Sequence, residues 1–274
     1  MNASKRTADI ATRNGIKFWQ KKRVGPRIFG VGAAKTGTHT IGQMFADQVA
    51  SAHEKDAERL IRLHLDRIAI GDDSKLHKYL RSRDRKRQLK IDASQINIYL
   101  LDDLETLFPN SLYILTVRPP ISWLRSMIDD SLRRDTSNTW IRFRNYRFGE
   151  IADHPVEEQA LADNNLHTLK GYLSYWQYSV KKTMEKLPLE RRLLISTHDI
   201  GKRSNDIAEF CGIQNQQNPS LVSHAFRNPS RFGILNELDE GYLLNIVEEV
   251  IGDTARAIFS GWTPQLDLIQ TKNE

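Results

Sequence analysis

Residues Arg27-Ile28-Phe29-Gly30-Val31-Gly32-Ala33-Ala34-Lys35-Thr36-Gly37-Thr38-His39-Thr40 pass from an apolar run, through small residues, into a helical pattern. Arg27 to Gly32 is short, apolar and glycine-ended, which predicts a buried strand. Ile41, Met44, Phe45 and Val49 recur at helical spacing and predict a helix over Thr40 to Ala50. A turn of small residues between strand and helix lets the backbone curl with its N–H groups facing inward. The helix N-terminus adds partial positive charge, and the combination binds phosphate. Lys35 adds a full positive charge, and Thr36, Thr38 and Thr40 add hydroxyl donors. Ala34, Gly37 and His39 complete the expected phosphate loop.

The register of the lysine separates this loop from that of nucleoside triphosphatases. Gly32 and Gly37 have the spacing of G-x-x-x-x-G-K-[ST], but Thr38 stands where that pattern has lysine. Lys35 lies two residues before Gly37 instead. Ordinary ATP or GTP hydrolysis would lack its lysine on the β/γ-phosphates.

Working outward, the strand-then-helix alternation recurs. Leu89 to Ala93 reads as a strand, with a helix from Ile96 to Leu107. Ser111 to Val117 is the clearest strand, and a helix starts at Pro119, since proline suits a first turn. Leu166 to Leu187 predicts a long helix carrying Tyr172, Tyr175, Trp176 and Tyr178, a group that could line an acceptor pocket but for most of which core packing is the expected role. Arg192 to Ser196 is another strand, Ser204 to Phe210 a helix, and Leu238 to Phe259 the last helical region. Such alternation predicts an α/β domain with a mainly parallel sheet.

Composition bounds the rest. The chain has 274 residues, 39% hydrophobic and 27% charged, with net charge +6. That mix excludes wholesale disorder and coiled coil. Residues 1–26 are polar and basic and read as an arm; residues 27–274 read as a single domain. One cysteine, Cys211, excludes a disulfide framework or cysteine-based zinc site within one chain. The eight histidines are scattered, so no metal site is expected. No stretch reaches the about 18 apolar residues of a membrane helix. No apolar signal segment follows Met1, so a cytoplasmic location is expected. The basic excess suits nucleic acid, an anionic membrane or a phosphorylated small molecule. Lys78 to Lys90 holds seven Lys/Arg against one Asp and predicts a solvated helix face. With only Tyr79 available there for base stacking, nucleic acid is not expected.

A second motif narrows the choice. The strand Tyr113 to Val117 ends at Arg118, and Ser126 follows eight residues later. A guanidinium grips a phosphate bidentately while a hydroxyl donates one further bond. Lys35-Thr36-Gly37-Thr38-His39-Thr40 together with Arg118 and Ser126 resembles the 5′- and 3′-phosphate motifs of sulfotransferases. These enzymes use 3′-phosphoadenosine 5′-phosphosulfate (PAPS) and release adenosine 3′,5′-bisphosphate (PAP). Asp92-Ala93-Ser94-Gln95-Ile96-Asn97, Gly171 to Trp176 and Glu190 to His198 are similar to segments of bacterial-type members. One departure is Pro119, which replaces the acidic residue often found after the arginine and removes an N–H. Arg125 is placed to compensate by charge.

The resemblance implies a P-loop-NTPase-like three-layer α/β/α fold. It also implies sulfuryl transfer from PAPS to a hydroxyl or amine, without a metal. Lys35 then stabilises the leaving phosphate. Glu54 is the first candidate for general base and His53 the second, because the family often places its base in this neighbourhood. A late basic loop that closes over the nucleotide in the family corresponds to Arg227 and Arg231. His198 is a further acceptor-site candidate. The acceptor stays open among carbohydrate, lipid, phenol, steroid and small alcohol. Two other readings remain: a divergent P-loop nucleotide or small-molecule kinase, and a non-catalytic nucleotide- or polyanion-binding module.

Overall fold

Successive residues of the continuously buried central strands point to opposite faces of one sheet and so divide the core in two. In the computed structural model, which describes residues 23–133, 136–214 and 231–273, β1 is Ile28–Gly30, β2 Ser51–His53, β3 Ile91–Ala93, β4 Leu112–Val117 and β5 Arg192–Ser196. Ile28, Ile91, Ile114 and Ile195 pack on one face, and Phe29, Tyr113, Leu115 and Val117 on the other. This is the period-two consequence of a pleated strand. The strands pair in the order β2-β3-β1-β4-β5, each pairing parallel.

The two faces are covered unequally. The first carries α1 (Thr38–Gln43) and α9 (Ser204–Cys211), whose Ile41, Ile207, Ala208 and Cys211 complete a small core. The second carries the larger core. It is packed by α2 (Ala57–Ile70), α3 (Ser74–Arg87), α4 (Leu101–Leu107), α5 (Pro120–Arg133), α6 (Asn138–Phe148) and α8 (Leu169–Lys186). The short α7 (Gln159–Asp163), α10 (Glu240–Ile258) and α11 (Pro264–Asn273) complete that layer. Tyr172, Tyr175 and Trp176 are buried there, as core packing requires. His64 joins their aromatic neighbourhood, its ring against Tyr99 and Tyr146. Burial first, then the charges of Arg67 and Lys182, push that imidazole down to about 3, so it stays neutral. The result is the expected α/β architecture with a parallel central sheet. Among the described residues no helix is long and apolar enough to cross a membrane.

Several elements differ in extent from the sequence expectation. The helix expected over Thr40 to Ala50 stops at Gln43, and the chain then turns into β2. Gly42 explains the turn: a Cβ there would sit 2.8 Å from His53 Cβ and 3.0 Å from Ala52 O, so α1 lies directly on β2. The helix expected over Ile96 to Leu107 is a 3₁₀ turn, Gln95–Ile98, followed by α4. The basic segment is only half solvated. Lys78, Arg81, Arg85 and Lys86 are exposed. Arg83 is buried against Asp92 and Asp56, and Arg87 Nη2 lies 3.0 Å from Asp56 Oδ1. Lys90 Nζ donates to Val24 O at 3.0 Å. At the edge of the expected arm, Arg23 and Arg27 both bind Asp84, at 2.7 Å each.

Candidate functional site

Parallel strands aim all their C-terminal ends at one edge, and chain order reverses at β1, with β3 on one side and β4 on the other. Ligands of such sheets bind outside that switch point. The loop after β1 occupies it. Lys35 has φ 65° and Gly37 φ 104°, both left-handed. Gly37 suits this backbone, whereas a lysine is held in it only when its surroundings over-determine the conformation. They do. Thr36 Oγ1 donates to Ala33 O at 2.7 Å and lies 2.8 Å from Thr116 Oγ1. Trp123 Nε1 donates to Ala34 O at 2.7 Å, and the Ala34 N–H donates to Tyr175 Oη at 3.1 Å. Thr197 Oγ1 lies 2.6 Å from Thr36 O and 2.9 Å from Val117 O. A Cβ on Gly32 would fall 2.0 Å from Thr116 Oγ1, so the loop packs straight onto β4.

These contacts divide the expected phosphate ligands. Thr36 is buried, and its hydroxyl serves the loop's own closure. Thr38 is buried as well, its Oγ1 3.3 Å from His53 Nε2, and the His53 ring sits 4.7 Å from that of His39. Thr40 is partly exposed on α1. Gly37 offers no side chain to cap α1. Lys35 Nζ donates to Asp130 Oδ1 at 3.2 Å, an oxygen that Arg133 Nη2 approaches to 3.0 Å.

The second expected cluster stands on the adjacent strand. Arg118 follows β4 directly, its Nε donates to Ser122 Oγ at 2.8 Å, and its carbonyl accepts from Trp176 Nε1 at 3.0 Å. Ser126 is buried one turn beyond Ser122 on the same face of α5. The spacing Ser122, Ser126, Asp130 thus runs one helical stripe from Arg118 to Lys35. The Arg125 guanidinium donates to Thr271 O in α11. Arg231 is exposed, His198 is exposed after β5, and Arg227 lies outside the described residues.

The base candidates follow one another at the end of β2 and diverge. His53 turns to Thr38 in the loop. Glu54, with a left-handed φ of 50°, accepts a hydrogen bond on Oε1 from Gln95 Nε2 at 2.5 Å. Glu54 also lines an open cleft of about 480 Å³ with Asp56, Glu58, Arg59, Arg62 and Trp140. A possible metal trio, Asp73, His77 and Asp103, lies apart from this edge. Arg67 Nη1 already fills it with a cation, 2.6 Å from Asp103 and 3.3 Å from Asp73.

Some members of the site were not expected from sequence. Ser122 and Asp130 share the spacing of Ser126 and were open to detection by helical periodicity. Gln95, Arg147, Trp123 and the hydroxyl of Tyr175 reach the site from distant segments; Gln95 and Tyr175 lie in segments that resemble the family, but no local pattern assigns any of the four to the site. Burial raises the Tyr175 hydroxyl above its usual range, so it remains a neutral acceptor for Ala34.

No family model matches the sequence, and no curated protein matches it. Among solved structures, sulfotransferase STF9 from Mycobacterium avium is similar over 93% of this chain and 82% of its own, with 13% identity and a TM-score of 0.52. A sulfotransferase from Alicyclobacillus acidocaldarius matches 85% of this chain and 99% of its own, at 16% identity and a TM-score of 0.47. A mouse sulfotransferase, SULT7A1, complexed with PAP, matches 88% of this chain and 91% of its own, at 12% identity and a TM-score of 0.38. The likeness to STF9, together with the parallel sheet and its flanking helices, identifies the architecture of this chain as the P-loop-like sulfotransferase fold.

Proposed function

We propose that this chain transfers a sulfuryl group from PAPS to a hydroxyl or amine of a polar acceptor. One observation carries the reading: Lys35, displaced from the triphosphatase register, stands in the loop after β1, while Arg118 and Ser126 follow the hydrogen-bonded neighbour β4. Two phosphate-binding groups at adjacent strand ends suit a small nucleotide with phosphates at both ends. The residues fit such a ligand. Each cation is pre-held by a polar partner, Lys35 by Asp130 and Arg118 by Ser122. The loop lies too close to β4 at Gly32 to admit a side chain.

PAPS, when bound, supplies the sulfuryl group on a 5′-phosphate leaving group. Lys35 meets the negative charge left on the phosphate oxygen when the old S–O bond breaks. The loop N–H groups and the Thr38 and Thr40 hydroxyls hold the 5′-phosphate. Arg118 and Ser126 hold the 3′-phosphate. Glu54 takes the proton from the acceptor as its oxygen or nitrogen bonds to sulfur. Glu54 is favoured over His53 because it lines the open cleft. The cleft walls carry Asp56, Glu58, Arg59 and Arg62. A steroid or alkyl chain there would strip water from charged groups at a cost of several kcal/mol. A hydroxyl-rich acceptor would not.

Calorimetry with PAP, ATP and GTP tests the reading. PAP is expected to bind at least tenfold more tightly than either triphosphate. Equal or tighter ATP binding would return the chain to the kinase-like alternative.

A further inference from the structure

Glu54 does not stand alone. Behind it, Gln95 Nε2 donates to Glu54 Oε1 at 2.5 Å, and Gln95 Oε1 accepts from Arg147 Nη1. Arg147 is buried, a costly place for a guanidinium. Three aromatic faces surround it: Phe143 and Phe148 each at 4.6 Å and Tyr175 at 5.1 Å from ring centroid to Cζ. Cation–π contact offsets part of the desolvation. Gln95 hands the remaining positive field on toward Glu54.

The order of donors removes an ambiguity. An amide side chain can sit either way round, but Arg147 has only N–H groups to offer. Gln95 must therefore turn its oxygen to Arg147 and its NH₂ to Glu54. An NH₂ group bonds more strongly to a carboxylate than to the carbonyl oxygen of a protonated acid. The left-handed φ of 50° at Glu54 has the same meaning, because a non-glycine residue keeps that backbone only where neighbours fix it. Tyr175 beneath Arg147 also receives the Ala34 N–H, so one buried stack supports both the base and the loop that carries Lys35.

We infer that Gln95 and Arg147 are positioning residues for sulfuryl transfer, acting through Glu54. They favour its carboxylate form, with Oε1 held by the Gln95 amide. The inference rests on the functional reading above, in which Glu54 is the base. Other charged groups facing Glu54 are Asp56, Glu58, Arg59 and Arg62 around the cleft and His53 beside it. None of them pins a carboxylate oxygen through an amide.

The test uses the full chain and needs no knowledge of the acceptor. The carboxyl carbon of Glu54, assigned by its loss in Glu54→Gln, is titrated by carbon-13 NMR in the parent, Gln95→Met, Arg147→Met and Arg147→Lys. The expected result is a higher midpoint in both Met variants, by about one pH unit in Arg147→Met, and recovery in Arg147→Lys. Superimposable titrations overturn the inference. Should Arg147→Met fail to fold, Gln95→Met decides alone. Release of PAP from PAPS, with water or glycerol as acceptor, gives the second readout. Gln95→Met should slow it at least tenfold while PAP affinity stays within twofold. It should slow Glu54→Gln no further, since the effect passes through Glu54. Multiplying effects would mark Gln95 as structural and overturn the inference. A parent chain that binds no PAP defeats the functional reading instead, which the titration reports separately.

Discussion

The two sides of the site are built by opposite means. On the β1–β4 side, the loop carrying Lys35 is closed by neutral bonds: Thr36 to Thr116, Trp123 and Tyr175 to Ala34, Thr197 to Thr36. On the β2–β3 side, the strand end carrying Glu54 is tied down by charge. Arg83 bridges Asp92 and Asp56, donates to Lys55 O at 2.8 Å, and is joined by Arg87. Lys35 itself is the exception on the first side, with Asp130 as its partner. The contrast has a chemical logic. The loop proposed to receive phosphate uses hydroxyls and amides for its own closure. The edge that carries Glu54 is held by guanidinium groups bound to Asp56 and Asp92.

The largest effect should come from filling the one place where the neutral side has no room. In Gly32→Ala the new Cβ would meet Thr116 Oγ1 at 2.0 Å and Thr116 O at 2.6 Å, and backbone cannot step aside. We expect a loss of about 5 kcal/mol or more in urea-denaturation stability. PAP binding should vanish in whatever fraction stays folded. Near-parental stability would mean that the loop is looser than its bonds imply.

The same contrast explains what was legible in the sequence. The neutral side is nearly local: strand, small residues, Lys35, Gly37 and helix are contiguous, so residues 27–40 announce the shape and motivate the proposed ligand. Strands β4 and β5 are continuous apolar runs and were equally readable. The charged side is not local. Strand β2 is Ser51-Ala52-His53, with no apolar run, and exists because it pairs with β3 and seats Gly42. In the run Lys78 to Lys90, helical spacing puts Arg83 on the face of Leu76 and Leu80, but its partners Asp92 and Asp56 come alongside only in the fold. Gln95 and Arg147 meet across 52 residues of chain and leave no periodic trace. Residues that bind through backbone shape are visible in order; residues that orient other side chains become visible only in space.

An intermediate effect should separate the two sides. Arg83→Met removes the cation from a buried pair and leaves Asp92 uncompensated, which costs about 3 kcal/mol. The damage should fall on β2 and β3. Hydrogen exchange is expected to speed up at Ala52 to Glu54 while the amides of Val31 to Thr38 keep their protection. PAP should still bind, and PAPS turnover should fall. Equal loss of protection on both sides would mean that the sheet edge and the loop melt as one unit, and the comparison would fail.

The smallest effect is also the sharpest about the loop. Thr36 was grouped with the phosphate donors by its place in the motif, yet its hydroxyl is 2.7 Å from Ala33 O and 2.8 Å from Thr116 Oγ1 and is buried. Thr36→Val keeps the shape and removes only that bond, so stability should drop by about 1 kcal/mol. If the hydroxyl serves closure alone, PAP affinity should change less than threefold. The matched variant Thr38→Val should weaken it about tenfold, because Thr38 opens α1 at the ligand edge. Reversed results would place the Thr36 hydroxyl on the ligand, and would require the loop to unlatch from Thr116 before the nucleotide enters.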